Sequence, residues 1–175
     1  EKGRYTATSL GLTPIIVTNQ TALKDSGATA IWRGPGSFNF TETNEFVEEV
    51  HFSDNASSSG GGYSYLTNLK KVVIGNGFTG IGSGAFKDCK SLIEVVLPES
   101  ITSIGWINTS SSSPSAKGAF EGCSSLVKIN LPEGVTKLGD NCFRGCTSLN
   151  DISIPSTLRE MGYYVLDGVL QSHPL

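Results

Sequence analysis

The chain is expected to fold as a β-rich α/β solenoid, built of stacked coils that each contribute a parallel strand and a short helical or 3₁₀ turn. Two observations predict this. Near-identical phrases recur: Leu92-Ile93-Glu94-Val95-Val96-Leu97-Pro98, Leu126-Val127-Lys128-Ile129-Asn130-Leu131-Pro132 and Leu149-Asn150-Asp151-Ile152-Ser153-Ile154-Pro155. Leu69 to Ile74 and Val47 to Phe52 are fainter copies. The copies also keep a period: they begin at 47, 69, 92, 126 and 149, with gaps of 22, 23, 34 and 23, the long gap being 23 plus an 11-residue insertion. A fixed period of this length marks a solenoid, whose usual output is a binding surface.

Each element of the coil has its own reason. Apolar and polar residues alternate in the strand phrase, which is strand periodicity. The proline that closes it cannot donate to a ladder, so it ends the strand. After it come Ile101, Ile104 and Gly105, or Val135, Leu138 and Gly139, a second short extended or bent piece. Then comes Ala85-Phe86 with Cys89 and Leu92, repeated as Ala119-Phe120 with Cys123 and Leu126, and as Cys142-Phe143 with Cys146 and Leu149. Apolar residues three apart suit one helical or 3₁₀ turn, and the glycine before it permits a corner. No coil buries its apolar edge alone; a stack buries a continuous core.

The combined form Ile-Gly-x-x-Ala-Phe-x-x-Cys-x-x-Leu-x-x-Ile-x-Leu-Pro resembles the BspA-like, bacterial surface-antigen class of leucine-rich repeats. The resemblance covers roughly residues 46–170. It implies a right-handed leucine-rich-repeat solenoid on secreted or surface proteins of host-associated bacteria, with adhesion or protein-binding roles. The first copy departs from the pattern, lacking both Ile-Gly and Ala-Phe. The domain expectation is therefore a β-rich N-terminal cap or appendage over 1–45, then a solenoid of about five coils over 46–175.

Composition agrees. At 175 residues the chain is one domain, or one with a small appendage. Its 21 glycines suit a fold of corners. A net charge of −3, with no basic cluster beyond Lys70-Lys71, argues against a nucleic-acid partner. No apolar run approaches the roughly 18–20 residues of a membrane span. No leader opens the chain, which leaves a cytosolic protein or a mature secreted one; the resemblance favours the extracellular or cell-surface location.

Three of the four cysteines, Cys89, Cys123 and Cys146, hold one repeat position. Rungs about 4.8 Å apart with parallel side chains exceed the roughly 3.8 Å Cβ spacing of a disulfide. Free buried thiols acting as small hydrophobes are expected. A disulfide is the first rival reading. A metal site at Cys142 and Cys146 is the second, set back by the lack of a nearby histidine and by Cys142 merely replacing the Ala of Ala-Phe. No metal and no cofactor are expected.

In 1–45, Pro14 to Thr18 reads as a strand, and residues 28–33 and 37–41 flank Gly34-Pro35-Gly36 as a hairpin. At the other end Val169 falls on the cysteine position, so residues 163–175 either cover the last rung or precede further repeats. Ser57–Gly62 and Ser110–Ser115 are polar runs that read as loops. Trp106 and Ile107 stand at the root of the second, either as an anchor packed on the solenoid, which is favoured, or as an exposed ligand contact. With Tyr63 and Tyr65 they would form one mobile lip, since insertions in repeat proteins gather on one face. The sequons at Asn19, Asn39, Asn55 and Asn108 read as chance in a Ser- and Thr-rich chain.

Two outward columns follow from the strand alternation. Glu49, Lys71, Glu94, Lys128 and Asp151 alternate in sign, an ion ladder of cross-strand pairs worth roughly 0.2–1 kcal/mol each. His51, Val73, Val96, Asn130 and Ser153 form the next column, with His51, Val73, Val96 and Asn130 as candidate ligand contacts. Catalysis finds little support. The two histidines, His51 and His173, lie at opposite ends of the stack. A triad of His51 with Asp54 and a serine from Ser57–Ser59 would rest on a floppy loop, without the preorganisation catalysis needs. A carboxylate pair made of Glu49 and Glu94 would have Lys71 between its members. The expected function is a non-catalytic binding or adhesion module for a protein or glycan partner, with a host-derived ligand among the candidates. The alternatives are an architectural spacer and an accessory binding domain of a larger surface enzyme.

Overall fold

The computed structural model describes residues 5–8, 15–17, 28–32, 47–52, 66–107 and 117–169, with side chains in the first four segments described at Glu49 and Val50. Twelve strands are assigned among them: β1 (Tyr5–Thr8), β2 (Ile15–Val17), β3 (Ala28–Trp32), β4 (Val47–Phe52), β5 (Lys71–Ile74), β6 (Gly80–Ile81), β7 (Glu94–Val96), β8 (Ser103–Ile104), β9 (Lys128–Asn130), β10 (Lys137–Leu138), β11 (Asp151–Ser153) and β12 (Glu160–Met161). They form two sheets, ordered β11-β9-β7-β5-β4-β3-β1-β2 and β12-β10-β8-β6. The five recurring phrases are β4, β5, β7, β9 and β11, and each pairs in parallel with the next. The second extended piece of each coil supplies the parallel four-stranded sheet. The insertion does not break the stack, because β7 still pairs with β9 and β8 with β10.

The third side of the coil differs from expectation. Among the described residues there is neither α-helix nor 3₁₀-helix; the Ala-Phe phrase is a run of turns. The amides explain why. Ala85, Lys87 and Cys89 donate to carbonyls three residues back, at 3.2–3.3 Å. Phe86 and Asp88, between them, donate to Ala119 and Glu121 of the next coil at 2.8 and 2.7 Å. A helix needs every amide to bond along its own axis. Here alternate amides leave for the neighbouring coil, so the corner becomes a third ladder. Phe120 and Gly122 repeat it toward Cys142 and Arg144, and Phe143 and Gly145 toward Val165 and Asp167. The corner needs a left-handed residue: Gly122 has φ 76° and Gly145 72°. Asp88 holds the same place at φ 59°, a conformation Asp tolerates better than most side chains.

The core runs inside these three ladders. Phe86, Phe120 and Phe143 are fully buried and stack with ring centroids 5.4 and 5.6 Å apart and planes 9° and 3° from parallel. All four cysteines are buried and free. The Cys123 thiol donates to the Phe86 carbonyl at 3.1 Å, and Cys146 to Phe120 at 3.2 Å. The column therefore fills volume and also satisfies a carbonyl of the coil before. Burial, with Asp88 alongside, pushes the Cys89 thiol up to about 12. Burial also raises Cys146 to about 12 and lifts Cys123 and Cys142 well above the ordinary thiol value.

At the N-terminal side, β3 pairs in parallel with β4 and antiparallel with β1, and β1 pairs antiparallel with β2. Both edges of β3 are thereby occupied. The expected hairpin across Gly34-Pro35-Gly36 has no free edge of residues 28–32 to use, and its second arm, 37–41, lies outside the described residues.

Candidate functional site

The outward face of the eight-stranded sheet is built by alternation. In β7, Val95 is buried while Glu94 and Val96 face out; in β9, Ile129 is buried while Lys128 and Asn130 face out. Register aligns Glu49, Lys71, Glu94, Lys128 and Asp151 as expected. The charges close as pairs: Lys71 Nζ lies 3.4 Å from Glu94, and Lys128 Nζ 2.8 Å from Asp151. The ladder is accordingly a structural feature of the sheet.

The adjoining column is partly brought together. His51 pairs with Val73, and Val73 with Val96, along the backbone. Val73 is half-buried, whereas Val96 and Asn130 are exposed. Val96 and Asn130 line a depression of about 800 Å³ over β7 and β9; Val73 stands one rung away and is not part of its wall. Two lining residues escaped the sequence reading. Ile93 and Val127 are 49% and 42% exposed, more than Val96 at 40%. They occupy the position just before the strand, where the flanking coils carry Lys70 and Asn150. That contrast was the available signal, and it lay outside the two columns that strand alternation picks out.

The reading of Trp106 as a packed anchor does not hold. Its side chain is 71% exposed. The backbone holds it instead: its amide donates to Ser83 Oγ at 3.1 Å and its carbonyl accepts from Asp140 N–H at 2.9 Å. Ile107 is half-buried. Both follow β8 of the four-stranded sheet, and neither lines the depression. Tyr63, Tyr65, Asp54, the serine runs and the four sequons lie outside the described residues, and with them the lip and the triad considered above. Among the described residues no group of three His, Cys, Asp or Glu could hold a metal ion, and no helix is long and apolar enough to cross a membrane.

A family model described as a BspA type leucine rich repeat region matches residues 35–113 and 115–172, in six copies. The chain belongs to this family. The six copies begin ahead of the first strand phrase at 47 and take in all five. Among solved structures, a leucine-rich repeat protein of T. pallidum is similar at 19% identity and a TM-score of 0.56, over 80% of this chain and 81% of that one. A leucine-rich repeat protein from Bacteroides ovatus is similar at 29% identity and a TM-score of 0.53, over 77% of this chain and 35% of that one, so the chain spans about a third of its length. A search of curated proteins found no match. BspA-type chains are repeat modules of the protein-binding kind, typically without catalysis.

Proposed function

We propose that this BspA-type chain is a non-catalytic binding module, displayed on or secreted from a bacterial cell, that seats a protein partner on the eight-stranded sheet over β7 and β9. One observation carries the reading: Ile93, Val96 and Val127, three exposed aliphatic side chains, share one concave depression. Exposed apolar surface gathered in one place marks interaction sites, whereas single exposed residues are ordinary. An aliphatic floor suits aliphatic side chains of a protein; a glycan would favour flat aromatic platforms, and the depression has none. The extracellular location is supported by the family, and thiols held protonated in the core are suited to an oxidising compartment. Residues 1–45 are read as a cap, because β1 and β2 reverse the parallel run beyond β3.

The test compares the wild-type chain with Ile93→Asp/Val127→Asp against a panel of secreted and cell-surface proteins. A partner should bind the wild type and lose most of its affinity for the variant, whose melting temperature stays nearly unchanged. Undiminished binding of every partner found would refute the assignment of this face. Surface display has its own check: protease added to intact cells of the source bacterium should digest the chain, and full protection would refute it.

A further inference from the structure

The charged residues around the depression are not balanced. Its lining holds Glu94, Glu99, Glu133 and one cation, Lys128. Two of these are already matched: Glu94 by Lys71 at 3.4 Å, and Lys128 by Asp151 at 2.8 Å. What remains is Glu99 and Glu133, both exposed. They hold the same repeat position, directly after Pro98 and Pro132. Their turns stack closely, since a Cβ on Gly134 would come within 2.7 Å of the Glu99 carbonyl oxygen. Like charges therefore follow one another on adjacent rungs, where the strand ladder beside them alternates in sign.

The acidic pair and the apolar floor coincide. Ile93 and Glu99 come from one coil, Val127 and Glu133 from the next. The coils on either side carry Lys70 and Asn150 at the floor position, and Asn76 and Ser156 at the acidic one. Ser156 donates to Glu133 Oε2 from its amide and its hydroxyl, at 3.2 and 2.9 Å, which turns that carboxylate toward the following coil and leaves its charge in place. Two adjacent coils have thus acquired both features, and their neighbours neither. From Ile93 to Glu99 is six residues, about 20 Å if extended at roughly 3.3 Å each.

From this juxtaposition we infer that the segment seated here is an extended, basic peptide stretch of a partner protein. Its aliphatic side chains rest on Ile93, Val96 and Val127, and one or two lysines or arginines lie beside the carboxylates of Glu99 and Glu133. The inference rests on the sheet-face reading proposed above and adds the chemistry of the occupant. A cation beside the two carboxylates offsets their unmatched charge, and complementary charge of this kind sets specificity and speeds encounter.

A displayed library of random heptapeptides, selected on the full chain, tests it. Selection on the wild type should enrich peptides that combine Lys or Arg with Leu, Ile or Val. Selection on Glu99→Lys/Glu133→Lys should shift enrichment toward Asp and Glu, while Glu160→Lys on the other sheet should leave it as in the wild type. Ile93→Asp/Val127→Asp should recover few of the wild-type peptides. Equal enrichment from the wild type and the charge-reversed protein, or acidic or neutral peptides from the wild type, would overturn the basic occupant while leaving the face itself standing. Full recovery by Ile93→Asp/Val127→Asp would overturn both. Enrichment of nothing would also overturn the peptide, and the panel of whole proteins would then judge the face alone.

Discussion

Phe120 sits between Phe86 and Phe143 in the stacked column and is wholly buried. Phe120→Ala should cost about 3–5 kcal/mol, the range for a buried aromatic. A denaturant melt that loses under roughly 1 kcal/mol, far below that range, would mean the column is not the core. The thiols beside it give a pH dependence. Their folded values are raised above the ordinary 9.0, two of them to about 12. The native state therefore holds protons that the unfolded chain gives up. The sign follows: this stability is complete below pH 9 and is lost as pH rises from there through 12. Replacing Cys89 with Ala should flatten the alkaline limb of a melting curve, and native protein at pH 8 should react slowly with a thiol reagent. Fast, stoichiometric labelling of the folded chain would contradict the buried column.

At the scale of elements, the ion ladder tests register. Lys71 lies between Glu49 and Glu94 in the aligned strands. Lys71→Glu sets three carboxylates in a row and should lower the melting temperature at low salt, with the loss shrinking as salt screens it. A loss that does not change with salt would remove the ladder from the account. The insertion makes a second test. Since β7 pairs with β9 and β8 with β10 across it, deleting residues 108–116 should leave thermal melting nearly unchanged. Unfolding on deletion would show that the insertion supports the coil.

The elements also show what a sequence can and cannot reveal. Strand phrases, thiol column and charge ladder were legible, because each is a local pattern repeated at one period. The turn at Ala85 to Cys89 reads as one helical or 3₁₀ turn, and its bonds to carbonyls three residues back are of the 3₁₀ kind, but apolar spacing of three does not tell a continuous helical turn from this corner. Only the destination of the alternate amides separates them, and that lies in another coil. Trp106 was misjudged for a related reason: its backbone is what holds it. The pairing of β3 with β1 is non-local, so Gly34-Pro35-Gly36 pointed to the wrong neighbour. On the sheet face, the outward facing of Val96 and Asn130 follows from strand alternation, but Ile93 and Val127 stand before the strand, outside its two-residue period.

For the whole molecule, the proposed binding surface lies on one face of a stack whose interior is given over to packing. Ile93, Val96 and Val127 are exposed on that face, and Met161 and Tyr163 are exposed to 50% and 52% at the end of the other sheet. Hydroxyl-radical footprinting of the free chain and of its complex with a captured partner separates the two surfaces directly. In the free chain all five side chains should be oxidised. In the complex the account predicts protection of Ile93, Val96 and Val127, with Met161 and Tyr163 reacting as before. Protection of Met161 and Tyr163, with the three aliphatic residues still reactive, would contradict it.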